Sequence, residues 1–453
     1  MPRTLKISIS GVRGVIGESL TPQLLVTFAQ AFGQYVGRGD IMIGRDTRAT
    51  GPMVRDAVVA GLLSCGCRPI DLGIVPTPTL LIKTAYSDAL GGIAITASHN
   101  PIEWNALKFV NGSGYFLDEH QAGELLDVYH QGEFLSCPND EIGKPRTDDS
   151  AIREHIDRVV AHLDTDLISS SGTVVAVDCC NGAGSEAVPA LLDRLGVKTV
   201  AVNCNPDGAF PHDPEPVAAN LTELCEAVVA HNADIGFALD ADADRLAIVS
   251  EKGVHIGEEY TLAIVAEHLL RKNPGRTIVA NISSTRALDE IAARHGSKVV
   301  RTRVGEANVA EGILRENAIV GGEGNGGVMF AGIHACRDGL AGIGFVLQHL
   351  AETRTSVSEI ADSMPTYVAC KQKYPCRGDK ASIVLNRLRR RHENDRVVLL
   401  DGVHIEWDDS WVDVRKSNTE PILRVTAEAP SNDRARTLAS TTISELDEIL
   451  AEM

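Results

Sequence analysis

The segment Thr96-Ala97-Ser98-His99-Asn100-Pro101, with Lys108 close behind, sets an activatable hydroxyl beside an imidazole and a cation. That is the chemistry of a serine that carries a phosphoryl group. Pro101 lacks an N–H and forces Asn100 out of helical geometry, so regular structure ends there and Ser98 is expected on a turn. Taken alone, a Ser-His pair is more simply read as the cap of a following helix. Three further polar clusters reverse that preference.

The run Leu239-Asp240-Ala241-Asp242-Ala243-Asp244-Arg245 follows the apolar residues 235–238 directly. Alternate carboxylates face one way in extended chain and converge on one point if the loop curls, which describes a hard-cation site. Without an ion their mutual repulsion is costly. An EF-hand is excluded because its glycine at position six and glutamate at position twelve are missing, and Mg²⁺ is the expected occupant. A solvated acidic turn is the plainer alternative.

Gly321-Gly322-Glu323-Gly324-Asn325-Gly326-Gly327 is a glycine-dense loop broken by one carboxylate and one amide, groups suited to vicinal sugar hydroxyls. No Gly-Lys-Ser/Thr follows, so it is not a Walker-type phosphate loop, and by itself it reads equally as a flexible hairpin. Arg415-Lys416-Ser417-Asn418-Thr419-Glu420-Pro421, followed by Arg424, offers guanidiniums, hydroxyls, an amide and turn N–H groups as an anion cradle. An ordinary surface turn paired to Glu420 is the alternative. Arg13 and Arg45 are glycine-flanked basic positions that could each be structural ion pairs.

Apolar runs alternate with helix-like stretches in front of each cluster. Strands are expected at Ile41–Gly44, Pro69–Leu72 and Ile93–Thr96, with helices at Pro22–Val36 and Gly51–Leu63. The pattern restarts at Gly172–Asp178, a helix over Ser185–Leu195 and a strand over Lys198–Asn203. It restarts again at Thr277–Asn281, with a helix over Ser283–Arg294 and a strand over Lys298–Arg301. These are three successive mixed α/β units, with Ser98 at a strand's carboxyl end, where open α/β sheets bind ligands. A smaller C-terminal α+β domain is expected from a helix at Lys380–Glu393, strands at Val397–Leu400 and Trp411–Val414 and a helix over Ser431–Glu452. Joints at Pro138–Asp149 and Glu251–Glu259 divide the chain into 1–150, 151–253, 254–369 and 370–453.

A chain of 453 residues exceeds a single core, and 44% hydrophobic with 23% charged residues is ordinary globular composition. No apolar run is long enough for a membrane span and no charged-then-apolar leader opens the sequence, so a cytoplasmic protein is expected. Ten scattered cysteines lack paired CxxC spacing and read as buried free thiols in a reducing compartment. A net charge of -18 argues against nucleic acid and leaves a small anionic partner to local basic residues. Oligomeric state has no sequence signal here.

In order, TASHNP, DADADR, GEGNGG and RKSNTEP resemble the signature set of the α-D-phosphohexomutases: the phosphoglucomutases, phosphomannomutases and phosphoglucosamine mutases. The opening Gly11-Val12-Arg13-Gly14-Val15-Ile16-Gly17, the run Gly44-Arg45-Asp46-Thr47-Arg48 and Val304-Gly305-Glu306-Ala307-Asn308-Val309 are also similar to family members. The resemblance implies a heart-shaped four-domain isomerase whose central cleft gathers one loop from each domain. It implies Mg²⁺ on Ser98, Asp240, Asp242 and Asp244, with Ser98 phosphorylated at rest. Glu323 and Asn325 would grip the sugar, Arg415, Ser417, Asn418 and Thr419 the non-reacting phosphate, and Arg13, His99, Lys108 and Arg245 would surround the transferring group.

The implied reaction moves a phosphoryl group between O6 and O1 of a hexose phosphate through a hexose 1,6-bisphosphate. Two departures stand out: many glucose and mannose mutases carry Ser-Gly-His where this chain has Asn325-Gly326-Gly327, and Ala106 replaces a usual glycine. The sugar loop, GVRGVIG and VGEANV look most like the archaeal-type phosphoglucosamine mutase branch, with glucosamine 6-phosphate as substrate. A phosphoglucomutase/phosphomannomutase is the alternative, and a metal-dependent serine-nucleophile phosphatase is the alternative from another class.

Overall fold

The computed structural model describes residues 4–8, 11–417 and 421–453. Asn418 and Thr419 therefore lie outside the described residues. Local sequence explains the first helix, Pro22–Val36. Thr21 caps it by accepting from the Leu24 N–H, Pro22 suits the first turn, and Leu25, Phe28, Ala29 and Phe32 form its buried face.

Four sheets follow one another along the chain. The first has seven strands in the spatial order Lys6–Ser8, Gly11–Val15, Trp104–Asn111, Gly91–Ile95, Asp40–Arg45, Arg68–Ile74 and Arg146–Thr147. The second runs Leu246–Ser250, Ile235–Leu239, Val174–Asp178 and Lys198–Val202, and the third Lys298–Thr302, Thr277–Asn281, Val320–Glu323, Gly327–Phe330 and His334–Arg337. The fourth sheet, of Val368–Pro375, Ile422–Ala429, Trp411–Lys416, Val403–Glu406 and Arg396–Val398, is antiparallel throughout.

In each of the first three sheets a parallel stack turns antiparallel at one fully buried strand. These strands are Gly91–Ile95, Ile235–Leu239 and Val320–Glu323. The turn that leaves each of them carries one of three of the four clusters singled out above: Ser98, the aspartates and the glycine loop. A continuous apolar cluster from Met42 through Phe237 to Met364 joins these three layers, whereas the fourth sheet packs on its own core around Val384, Val414 and Leu446. Mixed α/β sheets in series with a smaller antiparallel α+β unit are the architecture expected from the sequence.

The helix expected from Ser283 begins at Ala287 instead. Asn281 Oδ1 accepts from the Ser283 N–H and the Ser284 hydroxyl, and this local turn delays the helix. Ala106 sits in ordinary extended backbone opposite Arg13, so its replacement of glycine has little local effect. All ten cysteines are free thiols and none is exposed. Among the described residues no helix is long and apolar enough to cross a membrane.

Candidate active site

Ser98 lies at the start of the turn after Gly91–Ile95 with φ at 50°, in the left-handed region that non-glycine residues seldom adopt. Its N–H donates to Thr96 Oγ1 at 2.9 Å, and that hydroxyl in turn donates to Asp46. Arg48 holds the turn from below: its guanidinium donates to the carbonyls of Ser98, Asn100, Pro101 and Trp104 and pairs with Asp46 at 3.0 Å. Arg48 is fully buried. Arg45 is half-buried and donates to the Asp46 carbonyl at 3.3 Å, so of the two it is Arg48 that builds the loop.

The aspartate loop curls through Ala243, whose φ is 55°. Its three carboxylates are buried and offer oxygens within 4.8 Å of one another. Ser98 Oγ donates to Asp240 Oδ2 at 2.7 Å, joining the first sheet to the second. Lys108 Nζ and Thr77 Oγ1 both donate to Asp242 Oδ2, at 2.7 and 2.8 Å. Oδ1 of Asp242 and Oδ1 of Asp244 are buried without a hydrogen-bond partner. Buried carboxylate oxygens left unmatched and converging are what an oxygen-ligated divalent cation requires, so the residues present fit a metal ion.

The electrostatics are those of a crowded acidic cradle. Burial, then the neighbouring Asp244 and Asp242, raise the Asp240 carboxyl well above the usual carboxylate range. Burial acts the same way on Asp242, but the Lys108 ammonium outweighs it and holds that carboxyl below the usual range. His99 Nδ1 lies 3.4 Å from Ser98 Oγ. Burial, with Arg245 and Arg13 nearby, pushes the imidazole down to about 2, so it is neutral at ordinary pH. Arg13 donates to Asn100 Oδ1 at 2.6 Å, and burial lowers its guanidinium from the ordinary value. Arg245 stands 3.9 Å from both Asp240 and Asp244.

The glycine loop is the turn of a hairpin in which Glu323 pairs with Gly327, and Asn325 Oδ1 accepts from the Gly327 N–H. The Gly326 carbonyl accepts from the Leu246 N–H, which ties this hairpin to the strand leaving the aspartate loop. Glu323 Oε1 accepts from Asn281 Nδ2 and the Gly305 N–H, both at 2.9 Å, and Oε2 from Arg337 at 3.1 Å. Burial would raise this carboxyl, but Arg337 and these donors lower it. Both oxygens expected to meet a sugar are thus engaged by the protein itself.

In the fourth sheet Arg415 sits directly opposite Arg424, which in turn sits opposite Lys373 on the next strand. Like charges at directly opposed positions are unfavourable unless an anion lies between them. The Ser417 N–H donates to the Ile422 carbonyl. This row is connected to the glycine loop: Asp413, two residues before Arg415, accepts from Ser283 Oγ at 3.1 Å, next to the Asn281 that holds Glu323.

Arg337 and Lys373 had no motif to announce them. Arg337 is flanked by Cys336 and Asp338 in a strand end with no basic cluster, and only the packing of three segments brings it to Asp244, Glu306 and Glu323. Arg48 ends the Gly44–Arg48 run, and its role comes from the Ser98–Trp104 carbonyls that the fold turns toward it.

Profiles for phosphoglucomutase/phosphomannomutase match the chain in order: alpha/beta/alpha domain I at residues 5–136, domain II at 153–253, domain III at 258–367 and the C-terminal domain at 369–444. The chain belongs to the phosphoglucomutase/phosphomannomutase family of α-D-phosphohexomutases, which are isomerases. It is 39% identical over 447 residues to the phosphoglucomutase/phosphomannomutase of Thermococcus kodakarensis, covering 97% of this chain and 98% of that one. It is 38% identical to a Methanopyrus kandleri protein named as a probable phosphoglucosamine mutase, covering 95% of each. A solved phosphoglucomutase/phosphomannomutase family protein from Burkholderia thailandensis superposes with a TM-score of 0.86 at 26% identity, covering 98% of each chain.

Proposed function

We propose that this chain moves a phosphoryl group between O6 and O1 of a hexose phosphate, with Ser98 as the carrier and glucosamine 6-phosphate and glucosamine 1-phosphate as the interconverted pair. The observation that carries this reading is the 2.7 Å hydrogen bond from Ser98 Oγ to Asp240, which sets a strained-turn serine inside a three-carboxylate cradle. Asp240, Asp242 and Asp244, with an oxygen on Ser98, would hold Mg²⁺. When bound, that ion supplies neutralisation of phosphoryl charge.

The chain's own residues do the rest. Phosphorylated Ser98 presents its phosphoryl group to a free sugar hydroxyl; the Oγ–P bond breaks as the sugar O–P bond forms, and the proton the hydroxyl loses is made good on Ser98 Oγ, leaving a hexose 1,6-bisphosphate and a free serine hydroxyl. Arg13, Lys108 and Arg245 are placed to neutralise the equatorial oxygens in that step. His99, neutral, orients the serine oxygen rather than adding charge. Arg415, Ser417 and Arg424, together with Asn418 and Thr419, would grip the distant phosphate. Glu323 and Asn325 position the sugar. The bisphosphate then turns round, and its other phosphate returns to Ser98. The divisions 1–150, 151–253, 254–369 and 370–453 would each contribute one of these loops, in a cytoplasmic enzyme whose free thiols suit a reducing compartment.

Support for an amino sugar comes from the carboxylates around the glycine loop. Glu306 and Glu323 share the guanidinium of Arg337, and burial pushes Glu306 up to about 7 in spite of it. A surplus of carboxylate suits a sugar with an ammonium group at C2. The alternative, a phosphoglucomutase/phosphomannomutase, is favoured by the name of the 39% identical relative.

The test is kcat/KM for glucosamine 1-phosphate, glucose 1-phosphate and mannose 1-phosphate side by side, with Mg²⁺ and a catalytic amount of bisphosphate. A tenfold preference, about 1.4 kcal/mol, for glucosamine is expected. Preference for glucose or mannose selects the alternative, and release of inorganic phosphate with no isomer formed indicates a phosphatase. The purified protein should carry phosphate on Ser98 by mass spectrometry, and Ser98→Ala should lose turnover by about 10³-fold or more while unfolding normally.

A further inference from the structure

Arg337 ends the strand His334–Arg337, beside the strand that Gly327 begins. Its guanidinium meets three acidic side chains from three separate segments: Nη2 to Asp244 Oδ2 at 2.5 Å, Nη1 to Glu323 Oε2 at 3.1 Å and Nε to Glu306 Oε2 at 3.1 Å. Its N–H also donates to Glu306 Oε1 at 3.0 Å, and only 11% of the side chain is exposed. The aliphatic part of this side chain lies across Gly327. A Cβ at position 327 would stand 2.4 Å from Arg337 Cδ and 2.9 Å from Cγ.

The backbone of Gly327 does not require glycine, since its φ is not positive. What requires glycine there is Arg337, which is tied down at four points and cannot swing aside without giving up its ion pairs. We propose that Arg337 is the positioning residue of this sugar loop, reaching in from the neighbouring strand to occupy the space a side chain at 327 would take and locking Glu323 to the aspartate loop through Asp244. The proposal rests on reading Glu323 as a sugar ligand and the aspartates as a metal cradle. Arg337 acts through Glu323 and Asp244, and a planar fork is needed because three carboxylates must be met at once.

The experiment is a double-mutant cycle of Gly327→Ala and Arg337→Ala in the full chain, with Arg337→Lys alongside. Three quantities are read: kcat/KM on the hexose 1-phosphate the wild type prefers, the Mg²⁺ dissociation constant by calorimetry, and Tm. Gly327→Ala should lower kcat/KM by about tenfold or more in the wild-type background and by less than about threefold when Arg337→Ala is already present, because contacting residues are not additive. Arg337→Ala should lower kcat/KM by about 100-fold while tightening Mg²⁺, since a cation has left Asp244. Arg337→Lys should fall between, and it carries the test if the alanine variant does not fold.

Additive penalties in the cycle, or turnover by Arg337→Lys and Arg337→Ala within about threefold of wild type, would overturn the proposal. Should the wild type isomerise no hexose phosphate, the functional reading fails. The Tm cycle and the Mg²⁺ titration still decide the role of Arg337, which an additive Tm cycle with unchanged metal affinity would refute.

Discussion

The guanidinium of Arg48 lies 2.7 Å from the carbonyl oxygen of Ser98, and through it the turn that presents the serine is fastened to the Asp46 segment. The same side chain serves three further carbonyls, and the ring of Phe210 covers it at 4.9 Å. Arg48→Met would take the guanidinium from four carbonyls and the counter-charge from a buried carboxylate. A loss of about 3–5 kcal/mol is expected, as for breaking a buried ion pair from one side. Arg48→Lys should lose nearly as much, because one ammonium cannot reach all of these acceptors. Urea unfolding checks both, and a cost below about 1 kcal/mol for Arg48→Lys would count against the clamp.

Lys108 and Asp242 form a pair buried on both sides, at 2.7 Å. Lys108→Met removes the cation paired with Asp242, and a destabilisation of about 3–5 kcal/mol follows from the uncompensated charge. A divalent cation should restore part of it. Mg²⁺ is therefore expected to raise Tm more in Lys108→Met than in the wild type. Equal Tm shifts in the two proteins would show that the ion does not bind where Lys108 points.

What could be read from the chain alone was chemistry that is contiguous in sequence. Asp240, Asp242 and Asp244 sit within five residues, and Ser98, His99 and Lys108 within one hairpin, so motif and site coincide. The strands behind them were visible because buried central strands such as Ile235–Leu239 are unbroken apolar runs. Arg337 and Lys373 were not visible. Arg337 ends a short strand and Lys373 is one of two lysines in another, and the meaning of each comes from partners far away in sequence: Asp244 for Arg337, Arg424 for Lys373. The start of the helix at Ala287 was missed for a related reason, since propensity favours the serines less than the turn that Asn281 makes with them.

The Arg415–Arg424 opposition makes a prediction about binding. Arg415 and Arg424 are cross-strand partners, with Asp413 3.8 Å from the Arg415 guanidinium, and an anion bound over the pair adds to what offsets their like charge. A sugar phosphate should therefore raise Tm in the wild type and do so less in Arg424→Ala. Losing one charged hydrogen-bond donor to the phosphate costs roughly 1.5–3 kcal/mol, which is about 10- to 150-fold in kcat/KM. The effect should appear mostly in KM, because the distant phosphate is held alike in ground and transition states. A fall in kcat with KM unchanged would contradict this placement.

Glu259 supplies a pH-dependent term beneath the glycine loop. Its carboxylate lies against Gly324, so closely that a Cβ there would meet it at 2.1 Å, and it accepts from the Thr285 N–H at 3.2 Å. Burial pushes this carboxyl up to about 8 from an ordinary 4.5; Lys371 pulls it back, while Glu428 and Glu258 add to the push. Between those two values the folded protein holds a proton that the unfolded chain has released. Stability should therefore fall as pH rises across that window and level off above it. With the side chain only half-buried, the slope is on the order of 1 kcal/mol per pH unit or less. Glu259→Gln keeps the shape of the protonated acid and removes the titration. Urea unfolding from pH 5 to pH 8 should then show the variant gaining on the wild type as pH increases; parallel curves would mean that Glu259 titrates at its ordinary value in the folded protein.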